Sequence, residues 1–265
     1  MEIIGYTASI CIGIALGLIG GGGSILTVPV LVYLFAVDAV AATAYSLFIV
    51  GLTSAIGSLS YFKNGLVNVK TAVIFGIPSI VAVFLTRAYL VPAIPKEVFT
   101  IGTFTVTKGM LMMLLFAILM IAASYSMIKR DKPKTHEKDG EQECNYPVIL
   151  LEGSVVGVLT GLVGAGGGFL IIPALVILSK LPMKEAVATS LVIIAAKSLI
   201  GFFGEGGETS IDWLLLTKVS VAAIIGIFIG SMLSKKIDGA KLKPAFGWFV
   251  LVMGVYIIVK ETVLK

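Results

Sequence analysis

Lys197 is the residue whose type and position most strongly suggest chemistry. It lies in the middle of an apolar segment, between the letters IIAA and SLIG. An ionisable side chain at that depth of a membrane is costly and is by default a functional-site hypothesis. Lys197 could supply positive charge to an anion. It could instead form a structural ion pair with Glu152, or extend along its helix to the membrane surface. The sequence leaves these three interpretations open.

Hydroxyl groups recur at matched positions in the segment of Lys197 and in an earlier one. The two stretches are ATAYSLFIVGLTSAIG and ATSLVIIAAKSLIG. The matched pairs are Tyr45 with Thr189, Ser46 with Ser190, Thr53 with Lys197 and Ser54 with Ser198. Helical spacing places the polar residues of each stretch largely on one face, where hydroxyls could hydrogen-bond an oxyanion. The alternative is that they bond to their own helix or to its neighbours.

Two glycine-rich stretches must position these side chains: GLIGGGGSILTVPVLVYL from Gly17 and GLVGAGGGFLIIPALVIL from Gly161. Glycines break a helix, and the helix that restarts directs its free N–H groups and roughly half a positive charge at the break. Ser24 is expected to cap the restarted helix. The pattern predicts an anion site, although small residues also permit tight helix crossing. The candidate substrate-binding residues are Gly21, Gly22, Gly23, Ser24, Tyr45, Ser46, Gly166, Gly167, Gly168, Thr189, Ser190 and Lys197.

The two stretches belong to an internal duplication. One offset of 144 positions relates Gly17 to Gly161 and Asn68 to Asp212, and the latter two are expected helix N-caps. Each half carries about five apolar segments, and a Gly-rich turn breaks the first pair. An odd number of crossings inverts one half relative to the other. The predicted fold is an all-α membrane protein of two inverted repeats, 1–128 and 147–265, joined by a charged cytoplasmic linker, 129–146.

Lysine and arginine are concentrated in the loops on one side of this arrangement. That bias marks the cytoplasmic side and places both termini outside. The broken segments could be full crossings or re-entrant hairpins, which give the same sidedness. A proline-containing loop, VPAIPKEVFTIGTFT, is expected between the segments 69–90 and 106–128.

Composition excludes several classes of protein. Apolar residues make up 58% of the 265 residues and charged residues 13%, whereas soluble domains carry about 25% charged residues. The chain is therefore predicted to lie in a lipid bilayer. Its net charge of +5 suits topology signals in loops better than a nucleic-acid surface. The sequence contains no metal-ligand spacing, cofactor motif, Walker A sequence or catalytic constellation. We therefore expect no bound metal, no cofactor and no enzymatic activity.

The glycine-rich pair, followed by AVATSLVIIAAKSLIG and by ETSIDW at 208–213, resembles the sulfite exporter TauE/SafE family over nearly the whole chain. The resemblance implies a multi-pass protein of a bacterial or archaeal inner membrane that moves sulfite, sulfonates or related sulfur-containing anions. It marks Gly20–Gly23, Gly164–Gly168 and Thr189-Ser190-Leu191 as signature positions. The first half has Tyr45-Ser46-Leu47 instead, so the two halves of the expected site differ.

Together these patterns predict a secondary transporter for a small anion, such as a sulfur oxyanion or organosulfonate. The protein would work by alternating access around the two glycine-rich breaks. The alternatives are a membrane scaffold or accessory protein without transport activity, or a carrier of another small anion. A homodimer is possible, and nothing in the sequence requires it.

Overall fold

The computed structural model describes residues 2–101, 104–128, 146–177, 179, 181–204, 211–233 and 239–263. The first half consists of α1 (Glu2–Ile19), a 3₁₀ turn (Gly21–Leu26), α2 (Thr27–Tyr33), α3 (Ala39–Lys63), α4 (Val69–Leu85), a π turn (Thr86–Leu90), α5 (Val91–Ala93), β1 (Glu97–Ile101), β2 (Phe104–Thr107) and α6 (Lys108–Ile128). The second half consists of α7 (Tyr146–Val163), α8 (Gly168–Ile177), α9 (Met183–Phe203), α10 (Trp213–Leu233) and α11 (Gly239–Thr262).

The described helices suit a multi-pass membrane protein. Five are long and apolar enough to cross a bilayer: Ala39–Lys63, Val69–Ala93, Lys108–Tyr125, Met183–Phe203 and Trp213–Leu233. Three shorter apolar helices are Ile3–Leu18, Gly23–Tyr33 and Pro147–Val163. The helical, membrane-spanning class predicted from composition is therefore confirmed. The predicted linker lies outside the described residues except for Tyr146, and the division into two domains stays a prediction.

Helix contacts recur when the two halves are exchanged. Helix α1 packs on α10, and its counterpart α7 packs on α4, the counterpart of α10. Helix α3 packs on its own counterpart α9, and α6 packs on α11. The contacts of α3 with α10 and of α4 with α9 form another exchanged pair. The central pair α3 and α9 thus lies between elements from both halves, where its polar residues are buried.

A small β-hairpin replaces part of the expected proline-containing loop. Strands β1 and β2 pair antiparallel, with Phe99 opposite Val106 and Thr100 opposite Thr105. The proline-containing loop was expected at 91–105 without strands, and the segment after it was expected to begin at 106. β-branched and aromatic side chains dominate residues 97–107 and favour strands, so α6 begins only at Lys108. The hairpin leads directly into α6.

The predicted caps of α4 and α10 are confirmed. The side chain of Asn68 accepts a hydrogen bond from the amide of Thr71 at 3.0 Å. Asp212 accepts bonds from the amides of Leu214 and Leu215, each at 3.0 Å. Each bond satisfies an N–H group that has no partner within the first helical turn.

Candidate functional site

The first glycine-rich segment turns at Gly20. Its φ of 78° lies in the left-handed region, which glycine adopts without steric cost. The 3₁₀ turn that follows contains Gly21, Gly22 and Gly23. A Cβ on Gly23 would lie 2.5 Å from the backbone nitrogen of Leu16, so the turn returns tightly onto α1.

Ser24 lies inside the 3₁₀ turn and does not cap α2. The chain resumes helical backbone at Gly21, three residues before Ser24, and α2 begins at Thr27 without a side-chain cap. The prediction that Ser24 is an N-cap was therefore wrong. Ser24 is fully buried, and its Cβ lies near Gly166 of the second glycine-rich segment.

The second glycine-rich segment contains three residues in the left-handed region. The φ angles are 74° for Gly164, 63° for Gly166 and 70° for Gly167, and α8 begins at Gly168. A side chain at Gly164 would collide with the backbone of Thr43 in α3. Only glycine fits this combination of backbone angle and close approach.

The two glycine-rich segments approach each other beside α3 and α9. A Cβ on Gly166 would lie 3.5 Å from the Cβ of Ser24, 2.5 Å from Cγ1 of Val50 and 3.3 Å from Cγ2 of Ile194. Residues of both halves therefore surround Gly166. This place, where the second turn, Ser24, α3 and α9 converge, is called the central junction below.

Lys197 brings its amine to the second turn. Its side chain is 0% exposed, and Nζ lies 2.8 Å from the position of a Cβ on Gly167. Nζ donates a hydrogen bond to Oγ1 of Thr160 at 3.1 Å. Among the described residues, Thr160 is its only hydrogen-bond partner and no carboxylate forms an ion pair with it.

These contacts exclude two of the interpretations of Lys197 that the sequence left open. The suggested pair with Glu152 does not form, and Oε2 of Glu152 has no hydrogen-bond partner among the described residues. Extension to the membrane surface was also wrong, because the side chain turns inward and is enclosed by protein. A buried ammonium without a carboxylate remains, and this arrangement suits an anion.

Thr160 is the member of the site that sequence reasoning missed. Its hydroxyl donates to the carbonyl oxygen of Val156 at 2.7 Å and accepts from Lys197. Threonine commonly bonds to its own helix in this way, so nothing about its local sequence is unusual. The repeat offers a signal, since the position equivalent to Thr160 in the first half is Leu16.

The electrostatic environment of the ammonium favours negative charge. Nζ lies at the start of α8, where the first amide groups lack partners within the helix and carry partial positive charge. A cation at a helix N-terminus is unfavourable, and burial raises that cost. The described residues contain no group of histidine, cysteine or acidic side chains that could hold a metal ion.

Tyr45 and Thr189 form equivalent hydrogen bonds that hold helix starts. The hydroxyl of Tyr45 accepts from the amide of Asp212 at 2.6 Å, and that of Thr189 accepts from the amide of Asn68 at 3.0 Å. Each half thereby anchors the capped helix of the other. Both bonds give these residues a structural role beside the predicted contact with substrate.

The serines of α3 and α9 differ in their hydrogen bonding. Ser190 donates to the carbonyl oxygen of Val187 at 2.8 Å, whereas Ser46, Ser54 and Ser198 are fully buried and have no partner among the described residues. Ser46 and Ser54 lie one helical turn before and after Val50, which contacts the central junction. The serines on this face of α3 are therefore the hydroxyls best placed to bind a ligand.

Comparison with known proteins agrees with a membrane protein that moves solutes. The family model described as sulfite exporter TauE/SafE matches residues 6–257. A probable membrane transporter protein of Xylella fastidiosa (strain 9a5c) is 29% identical, over 93% of this chain and 91% of its own. YunE of Bacillus subtilis (strain 168), also a probable membrane transporter protein, is 30% identical over 83% of this chain and 84% of its own. No solved structure matches.

Proposed function

This chain belongs to the sulfite exporter TauE/SafE family, and on that premise we propose that it is a secondary transporter of a small anion. The anion is a sulfur oxyanion, such as sulfite, or an organosulfonate, and it crosses the cytoplasmic membrane. Binding occurs at the central junction, between the glycine-rich turns.

The buried ammonium of Lys197 is the observation that carries this proposal. It lies against Gly167 at the start of α8, and Thr160 alone among the described residues bonds to it. A buried charge needs a partner, and an anion bound here would supply it. Ser24 has its Cβ beside Gly166, and Ser46 lies one helical turn before Val50. Their hydroxyls and the amides at the second turn would contact further oxygens of the anion.

Transport by alternating access fits the exchange of contacts between the halves. Two inverted repeats would place equivalent surfaces toward opposite sides of the membrane, with both termini outside. The glycine-rich turns would supply the irregular backbone that survives in a membrane only where protein or a water-filled cavity covers it. The family and the related transporters support the membrane location and a solute as substrate.

Uptake of radiolabelled sulfite into proteoliposomes tests the proposal. The variants are Lys197→Gln, which removes the buried charge, and Lys218→Gln, which removes an exposed charge from α10. Lys197→Gln is expected to lower the uptake rate by about a hundredfold, since it loses both a charge and a hydrogen bond to the anion. Lys218→Gln is expected to retain uptake.

Undiminished uptake by Lys197→Gln would contradict the proposal that the anion binds at the central junction. Equal losses of uptake in both variants would show that uptake depends on the overall charge of the protein and not on the charge of Lys197. Chloride and acetate, added as competitors, check whether the site prefers a sulfur oxyanion over other small anions.

A further inference from the structure

We infer that the central junction selects singly charged anions over doubly charged anions of the same shape. The inference rests on the proposed function, because it concerns the anion that occupies the proposed site. It follows from the number of full charges at the site and from the depth at which they lie.

Lys197 supplies the one full positive charge found among the described residues at the junction. The equivalent position in the first half is Thr53, whose hydroxyl donates to the carbonyl oxygen of Ile49 at 2.6 Å. Arg87 is another buried cation, and its Cβ packs near Gly204 at the end of α9, about two helical turns beyond Lys197. The first-half side chains that the described contacts place at the junction itself, Ser24 and Val50, are neutral.

Burial makes the charge of the anion decisive. The attraction of an anion to fixed charges and helix N-termini grows in proportion to its charge. The cost of removing it from water grows with the square of its charge and is large in a protein interior. A dianion therefore gains twice the attraction at about four times the cost. The attraction to one buried ammonium offsets the desolvation cost of a monoanion far better than it offsets the desolvation cost of a dianion.

Among the described residues, no contact brings a second charged atom to the junction to compensate a dianion. Ser46, Ser54 and Ser198 provide neutral hydroxyls without partners among the described residues. Such groups bind the oxygens of either anion and do not change the net charge of the occupied site. One half of the repeat has a lysine, Lys197, where the other half has the neutral Thr53. The described part of the junction therefore has one positive charge and matches a ligand with one negative charge.

Methanesulfonate and sulfate form a matched pair of probes. Both have a tetrahedral sulfur with terminal oxygens, and at neutral pH the first carries one negative charge and the second carries two. Titration calorimetry of the purified protein at constant ionic strength gives both dissociation constants. We expect methanesulfonate to bind at least about tenfold more tightly than sulfate.

Lys197→Gln is the control for non-specific effects. Sulfate stabilises many proteins because it is excluded from their surface, so thermal shifts are compared at equal salt in the wild type and in this variant. Only a saturable shift that Lys197→Gln lacks counts as binding at the junction.

Each outcome separates this inference from the proposed function. Tighter binding of methanesulfonate, lost in Lys197→Gln, supports both. Equal or tighter binding of sulfate, also lost in Lys197→Gln, overturns the selection of monoanions and leaves the anion site standing. Binding of neither probe, together with unchanged sulfite uptake in Lys197→Gln, overturns both.

A second test adds a lysine to the first half, at the position equivalent to Lys197. The double variant Leu16→Thr, Thr53→Lys copies the Thr160–Lys197 pair into the first half, and Leu16→Thr, Thr53→Gln is the neutral control. The charged graft is expected to shift the ratio of the two affinities toward sulfate by about tenfold or more. An unchanged ratio in a folded graft contradicts the charge argument, and the wild-type comparison decides if the graft does not fold.

Discussion

Gly23 in the first half lies against the backbone of Leu16, and its counterpart Gly167 lies against Thr160 and the ammonium of Lys197. The backbone plan is shared, since Gly20 and Gly164 are both left-handed and each contacts the central helix of the opposite half, at Val187 and at Thr43 respectively. The side chains around that plan differ. The left-handed glycine that opens each turn is shared, whereas Gly166 and Gly167 are also left-handed and their counterparts lie in a 3₁₀ turn. The second half brings an amine to its turn, and the first half brings only neutral side chains.

The largest expected difference between the halves comes from alanine at the left-handed glycines. Gly164→Ala places a methyl group against the carbonyl of Thr43, which is backbone and cannot yield, so it should lower the free energy of unfolding by about 3 kcal/mol. Gly20→Ala meets the Cγ1 methyl of Val187 at 2.8 Å, which can shift further than backbone can, and should cost about 2 kcal/mol. Denaturation in detergent measures both.

Gly65→Ala is the control for backbone strain alone. Its φ is 67° and nothing lies within 4 Å of the added methyl group, so its cost of about 1 kcal/mol reflects the left-handed backbone only. A loss for Gly164→Ala no greater than that for Gly65→Ala would refute the close contact with α3.

The next effect concerns the charge itself, measured without ligand. Lys197→Met removes an ammonium that has no carboxylate partner among the described residues, and Thr160 keeps its bond to Val156. The free energy of unfolding should therefore rise by about 1–3 kcal/mol, while anion binding is lost. Thr53→Val in the neutral half, which removes a hydroxyl from α3, should give no such gain in stability.

Lower stability of Lys197→Met in the absence of anion would mean that the ammonium is well compensated in the empty protein. The difference between the two halves would then be structural rather than functional.

A smaller effect is expected at Thr160. Thr160→Val keeps the shape of the side chain but removes the acceptor of the bond from Lys197, and should weaken anion binding by about tenfold, or about 1.4 kcal/mol. Thr160→Ser restores the acceptor and should recover most of the affinity. Calorimetric titration with methanesulfonate provides the dissociation constants, and failure of the serine variant to recover affinity would argue against the hydroxyl as the cause.

The smallest and most symmetric effect is expected at Tyr45 and Thr189. Tyr45→Phe and Thr189→Val each remove one acceptor from a helix-start amide, so each should cost about 1 kcal/mol of stability. The two costs should agree within error because the contacts are equivalent. Calorimetric titration with methanesulfonate separates the two roles: a loss of stability alone indicates the structural role, and an added loss of anion affinity indicates the predicted contact with substrate.

The sequence was sufficient for features that depend on local composition and repetition. Apolar length located the spanning helices, and Asn68 and Asp212 were identified as caps from their positions before apolar runs. The offset between the halves brought Lys197 and the glycine-rich turns to attention. These features are encoded within a few residues or by direct comparison of two stretches.

Features that depend on distant contacts were not accessible in this way. The role of Thr160 follows from a bond to a residue on another helix, and Tyr45 and Thr189 hold amides of the opposite half rather than those of their own helix. Ser24 resembled a cap because it is a serine that directly follows four glycines. The sequence did not show that helical backbone already resumes at Gly21, in the turn where Gly23 packs on α1. Strands β1 and β2 were not identified within the expected proline-containing loop, because they pair only with each other and form no long apolar segment.

The exchanged caps have a consequence for synthesis of the chain on the ribosome. The start of α4 bonds to Thr189 and the start of α10 bonds to Tyr45, so neither half contains all the groups that complete its own helices. The first half enters the membrane before its partner has been translated, and the amide of Asn68 must then bond to water or lipid headgroups. Translation of α9 supplies the missing hydroxyl, so the bond that completes the start of α4 can form only after most of the chain has been made.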